Sequence, residues 1–377
     1  MKMTDLTLEV AEFPFPEDFH PAWAPGGAEK GVRATILKIL TDEGITGIAG
    51  ATAFGSELPT FKALRPYLIG KDPFAVEQHI QTLRNVRTHG GLPWAVEIAL
   101  WDIIGKASNL PIYKLWGGYR DRIKAYASTG ELRPPERRIE DVYRYYEEGF
   151  RAVKLRVHYL EMKEDIQIVA AVREALGDKM EIMVDANQAG VLASPGYNPV
   201  WSYSRAVTTA RELEKLNVSW LEEPLNRHDF KGLARLTKEV DLPIAGGEVN
   251  VGIRELKLLL DLDCYDILQP DATLSEGLFQ LRMLAGVAHV DGKRFIPHTW
   301  GNGLGLVANL HLAASVPNCS HLEYPYDPPS FTKEAYFGML QNPLEIDREG
   351  YVQVPQGPGL GVELDEDAIA RHKVKPL

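Results

Sequence analysis

Val218-Ser219-Trp220-Leu221-Glu222-Glu223-Pro224 is an extended apolar run that ends on two adjacent carboxylates and a proline. Successive side chains of a strand point to opposite faces, so at most one of Glu222 and Glu223 can lie along a central axis, and the other needs its own partner. Alone, the stretch reads equally well as a surface strand closing in solvated acids. Its weight comes from recurrence. From residue 123 onward, apolar β-rich segments fall near 123–127, 152–157, 181–185, 218–222, 242–246, 265–269, 294–297 and 319–323. Helical periodicity lies between most of them, clearest over 161–176, 203–216, 229–240, 253–262 and 276–289. Eight strand candidates alternating with helices predict a parallel sheet, and eight is the number that closes a barrel.

The strand ends carry the chemistry. In a parallel barrel every carboxyl end opens on one face, so residues distant in sequence converge there. Those ends are Lys154 and Arg156, then Asp185, Glu222, Glu248, Asp271, His298 and Glu323. An isolated acid at such a position is ordinarily a helix cap or a loop ion pair; a series, each closing an apolar run, is not. Carboxylates gathered without basic partners repel and raise one another's pKa, and a divalent cation removes that conflict. Asp185, Glu222 and Glu248 offer only oxygen, which favours Mg²⁺ over zinc. A substrate carboxylate on such an ion has an acidified α-proton, and its removal calls for a base. Asp271 and His298 on neighbouring strand ends supply one, the carboxylate fixing the imidazole tautomer. Lys154 and Arg156, two residues apart, share a face and give a net-negative protein local cations for an anionic substrate.

Before the barrel, Thr35 to Leu40, the turn Asp42-Glu43-Gly44 and Ile45 to Ala49 read as a hairpin. Residues 13–31, rich in Pro, Gly and aromatics, read as a long loop. Residues 58–106 turn helical, with Glu97 and Asp102 expected on an ion-paired helix face. Residues 344–377 return to hairpin-like material expected to pack on the N-terminal region. The 377 residues exceed one ordinary domain. A net charge of −11 argues against nucleic acid or an anionic membrane surface as partner. Two cysteines, no basic-then-apolar leader and no bilayer-length apolar run make the cytoplasm the expected compartment.

The helix AVEIALWDIIGKASNLPIYKLWGG, then VKLR, VDAN, WLEEP, GGE, QPD, IPHTWGNG and the tail VPQGPGLGVELDEDAI together resemble the enolase superfamily, mandelate racemase subgroup, along nearly the whole chain. The resemblance implies an α/β fold: a modified TIM (β/α)7β-type barrel over residues 123–343, capped by an α+β domain built from residues 1–122 and the returning segment 344–377. It implies Mg²⁺ on Asp185, Glu222 and Glu248, which selects Glu222 as the inward acid and leaves Glu223 to support the site or orient a lysine. It further implies an Asp271–His298 acid/base dyad and Glu323 as a hydrogen-bond donor or electrophile toward the substrate carboxylate. Asn187, His20 and Trp23 are assigned to substrate binding, the last two through the 13–31 loop, with Glu57 a further candidate from residues 51–60. A homo-oligomer acting on a small carboxylate is expected.

One departure matters. The subgroup commonly has Lys-x-Lys on the second strand, the second lysine serving as a base; here Arg156 stands there, a poor proton acceptor suited to carboxylate or hydroxyl recognition. With one competent base, dehydration of a polyhydroxy acid to a 2-keto-3-deoxy acid is the expected reaction, His298 taking the α-proton or returning its proton to the departing hydroxyl. Lys154 is assigned to carboxylate binding and enolate stabilisation, with a second-base role as the alternative. Rival readings are epimerisation or cycloisomerisation through the same enolate, a metal-free glycosidase, and a non-catalytic scaffold. Residues 188–204 line the pocket or form a subunit contact.

Overall fold

The computed structural model describes residues 1–52, 57–88, 91–190 and 200–375. Strands β1 (Met3–Phe19), β2 (Glu29–Thr41) and β3 (Thr46–Thr52) form an antiparallel sheet in that order. Gly44 takes the positive φ of 79° that the β2–β3 turn requires. The expected 13–31 loop is shorter than the composition suggests. Phe13 pairs with Val32, Pro14 with Gly31 and, past a bulge, Phe19 with Glu29. Phe13, Phe15 and Phe19 bury one face, so the alternation sustains the strands despite two prolines, and only residues 20–28 connect them.

Helices Glu57–Leu68, Val76–Arg87 and Trp94–Ala107 follow. The expected ion pairing holds for Asp102, although it and Glu97 are both fully buried. Asp102 does pair with Lys106 at 2.6 Å, but it also accepts the backbone N–H groups of Ile48 and Leu360, each at 2.8 Å. It thereby ties sheet, helix and tail together. The glycine-rich tail follows from this contact: a Cβ on Gly359 would lie 2.1 Å from Asp102 Oδ1. Glu97 accepts the N–H of Phe279 at 2.8 Å, capping the barrel helix Leu278–Val290.

The second sheet is parallel: β4 (Arg122–Ser128), β5 (Ala152–Arg156), β6 (Glu181–Asp185), β7 (Leu221–Glu222), β8 (Ile244–Gly246), β9 (Ile267–Leu268), β10 (Arg294–Phe295) and β11 (His321–Pro325). Each pairs with the next from β4 to β10, and β11 returns to pair with β4. The Phe295 N–H donates to Asn318 O at 3.0 Å, bridging the ends of β10 and β11. The sheet therefore curls into the expected barrel with an antiparallel cap. The tail divides its contacts: β12 (Tyr351–Gln353) runs antiparallel on β4, whereas Val374 N–H bonds Val10 O and Lys38 pairs with Glu366 on the cap. Among the described residues no helix is long and apolar enough to cross a membrane.

Candidate active site

Register places Arg156 opposite Asp185, and Asp185 opposite Glu222, across three neighbouring strands. Lys154, wholly buried, directs its Nζ to Glu222 at 2.8 and 2.9 Å, to Glu323 Oε1 at 2.7 Å and to Asp185 at 3.5 Å. Among the described residues no hydrogen bond joins Lys154 to Glu223, although its charge still acts on that acid. Gln269 donates to the second oxygen of Glu222 at 3.0 Å. Glu323 also accepts from Ser128 Oγ at 2.7 Å and from the Thr299 N–H at 2.9 Å.

Arg156 is nearly saturated by the protein. Its guanidinium contacts Asp185, donates to Thr129 O at 2.6 Å and Asn187 Oδ1 at 3.2 Å, and lies 3.5 Å from Ser128 Oγ. It also lies against the rings of Trp23 and Trp300, 4.9 and 5.5 Å from their centroids. Across the site, His298 Nδ1 faces Asp271 Oδ2 at 2.9 Å and Nε2 faces Glu248 Oε2 at 3.3 Å. Asp271 is fixed in turn by Thr273 and Asn309.

Electrostatics follow from this crowding. Burial raises Glu222, opposed by Lys154 and reinforced by Asp185, Glu323 and Glu248. Burial likewise raises Glu223, with Glu248 and Asp185 adding to it, and it raises Glu248 against the pull of His298. Glu323 goes the other way: burial would raise it, but Lys154, His298 and Arg156 outweigh that and hold it low. One lysine thus serves both Glu222 and Glu323, and the acid with further cations beside it is the one held low. His298 is pushed up to about 10, burial opposing and Glu248, Glu323 and Asp271 prevailing.

A cavity of about 530 Å³ opens over these groups. Arg156, Asn187, Glu223, Glu248, His298 and Trp300 line it from the barrel; Trp23, Glu29 and Arg33 line it from the cap. Lys154, Asp185, Glu222, Asp271 and Glu323 sit behind that wall. His20 is not brought to it. It is exposed, bonds Gly27 O and lies in a separate groove with Glu131 and Arg133. Residues 53–56 of the 51–60 segment, the Glu57 side chain and residues 191–199 of the 188–204 segment lie outside the described residues. Ser128, which joins Glu323 to Trp300 (Nε1 to Oγ, 2.9 Å), escaped the sequence reading. It ends the first barrel strand, where the rule applied to the other strands would have found it. Asp327 escaped too. Buried, it accepts from the Gly130 and Glu131 N–H groups and from Arg138, fixing the rim to which the backbone of His20 and Ala22 is bonded.

The carboxylates fit a divalent cation by donor type and by crowding: oxygen ligands on adjacent strands, several raised by burial and further by one another, and a buried Glu223 Oε1 with no hydrogen-bond partner among the described residues. As placed, Lys154 and Arg156 engage two of them, and among the described residues no three acidic, histidine or cysteine side chains group closely enough to hold an ion.

Residues 137–368 match the family described as enolase C-terminal domain-like, and residues 12–117 the mandelate racemase / muconate lactonizing enzyme N-terminal domain. The chain is 31% identical to an arabinonate dehydratase of Saccharolobus solfataricus, over 93% of each chain. It is 31% identical to a D-galactarolactone cycloisomerase of Agrobacterium fabrum, over 90% of this chain and 91% of that one. The fold superposes, with a TM-score of 0.86 at 26% identity, on an L-talarate dehydratase from Polaromonas sp. JS666 complexed with Mg and L-glucarate, over 99% of this chain and 98% of that one.

Proposed function

Because the chain belongs to the enolase superfamily, mandelate racemase subgroup, we propose that it is a Mg²⁺-dependent dehydratase converting a sugar acid to a 2-keto-3-deoxy acid. The observation that carries this reading is the imidazole of His298, which lines the cavity and is braced by Asp271 at 2.9 Å, with Arg156 where a second lysine would stand. Asp185, Glu222 and Glu248 are the residues that would hold the ion. Bound there, Mg²⁺ neutralises the crowded acids, eases the pull of Glu248 on His298 and stabilises charge developing on the substrate carboxylate.

The chain's own groups do the rest. His298, on the cavity wall with Nδ1 taken by Asp271, takes the α-proton on Nε2, while Asp271 holds Nδ1–H and stabilises the imidazolium. The same imidazolium then protonates the departing β-hydroxyl, so H and OH leave as water and the enol tautomerises to the ketone. Lys154 and Glu323, paired at 2.7 Å behind the wall, fix the positive charge nearest the substrate carboxylate. Asn187 orients a hydroxyl. Arg156, nearly saturated, organises Asp185 and Asn187 more than it binds substrate.

Incubating a sugar-acid library with the protein and Mg²⁺, and assaying for 2-keto-3-deoxy products, tests the reading. Dehydration of at least one aldonate or aldarate is expected. A second reading, cycloisomerisation or epimerisation, draws support from the cycloisomerase relative at equal identity. Exchange of the α-proton in heavy water with no keto acid formed would establish it and overturn dehydration.

A further inference from the structure

Strand alternation alone would turn Glu223 away from the side of the sheet that Glu222 faces. The chain does something else. Glu223 adopts φ = 48°, a left-handed conformation that a residue with a Cβ adopts only against a steric penalty. Two backbone bonds hold it there: its N–H donates to Ala245 O and its carbonyl accepts from the Gln188 N–H, each at 2.9 Å. The turn brings its side chain to the cavity wall beside Glu248, Asn187 and Arg156. The residue is only 2% exposed, yet none of the described residues donates a hydrogen bond to its Oε1.

A buried carboxylate oxygen with no donor bears its full desolvation cost unless a ligand supplies what the protein withholds. The nearby cations do not supply it: Lys154 is committed to Glu222, Glu323 and Asp185, and Arg156 to Asp185, Asn187 and Thr129. The cavity must therefore bring the donor. We propose that Glu223 is a fourth acid of the cation site, its Oε1 accepting a hydrogen bond from a water carried by the divalent ion and thereby positioning that ion against Glu248. This rests on the cation site proposed above. Glu223 is a positioning residue; it takes no proton from the substrate.

Mn²⁺ is the probe. Its affinity for the full chain is measured by calorimetry, and the water protons on the bound ion by electron–nuclear double resonance, in wild type, Glu223→Gln and Glu223→Asp. The glutamine variant is expected to bind Mn²⁺ 10–100-fold more weakly with an altered water-proton coupling and an unchanged melting temperature without metal; aspartate recovers part of the affinity. Affinity within threefold of wild type and an unaltered coupling in Glu223→Gln overturn the proposal. If Glu223→Gln does not fold, Glu223→Asp decides by the same couplings. Wild type that binds no Mn²⁺ overturns the cation site itself, whereas wild-type binding that survives intact in Glu223→Gln overturns only the role of Glu223.

Discussion

At the scale of single residues, His298 has two partners that pull in the same direction, Asp271 on Nδ1 and Glu248 on Nε2. Replacing it by asparagine keeps a polar side chain of similar reach but removes the one imidazole that the described residues bring to the cavity wall. His298→Asn is expected to lower kcat by roughly 10²–10⁴-fold with a melting temperature close to wild type; product formation near the wild-type rate would remove His298 from the chemistry. The identity of such residues was legible because each closes an apolar run. Their pairings were not. Lys154 and Glu222 are 68 positions apart, and no local pattern says that one ammonium will be shared between Glu222 and Glu323. Nor does alternation reveal Glu223 at the cavity, because a left-handed residue breaks the period on which alternation depends.

At the scale of elements, barrel strands as short as Leu221–Glu222, Ile267–Leu268 and Arg294–Phe295 were still readable, since the surrounding apolar run and the acid or proline after it mark the position. The helix Gly303–Ala314 was not read. Every one of its residues is buried, so it has no polar face to set a 3.6-residue period, and its opening GNG resembles a turn. The helix carrying Glu97 was readable, but the complete burial of that side chain was not. Burial raises its carboxyl to about 7, only partly opposed by the Phe279 N–H and Trp101. A group raised in the folded state favours folding fully below its unfolded value near 4.3, and that contribution is lost as pH rises through about 7. Wild type is therefore expected to lose on the order of 2–3 kcal/mol of stability between pH 4 and 8 through this residue. In urea titrations at the two pH values Glu97→Gln should flatten the difference; an identical pH dependence in the variant would show that the cap on Leu278–Val290 does not titrate.

At the scale of the whole molecule, acidic side chains from several strands are held together against their mutual repulsion, and a ligand that relieves it must stabilise the fold by mass action. Saturating Mg²⁺ is expected to raise the melting temperature by several degrees, chelator to reverse the rise, and Glu248→Gln to abolish it. Identical melting curves with and without the ion would sink the cation site. The barrel and its cap were both foreseeable from strand count and the motif series, because eight alternating units leave few ways to close a sheet. The route of the tail was less so, since hairpin-like composition does not say which neighbour it will join.

That route bears on how the protein comes into being. Strand β4, the first of the barrel, finds two of its three neighbours in β11 and β12, while the cap sheet awaits Val374 and Glu366. On the ribosome, neither unit has all its partners until residues 351–374 have emerged. Both must wait as open sheets, exposing unpaired edges for nearly the full time of synthesis.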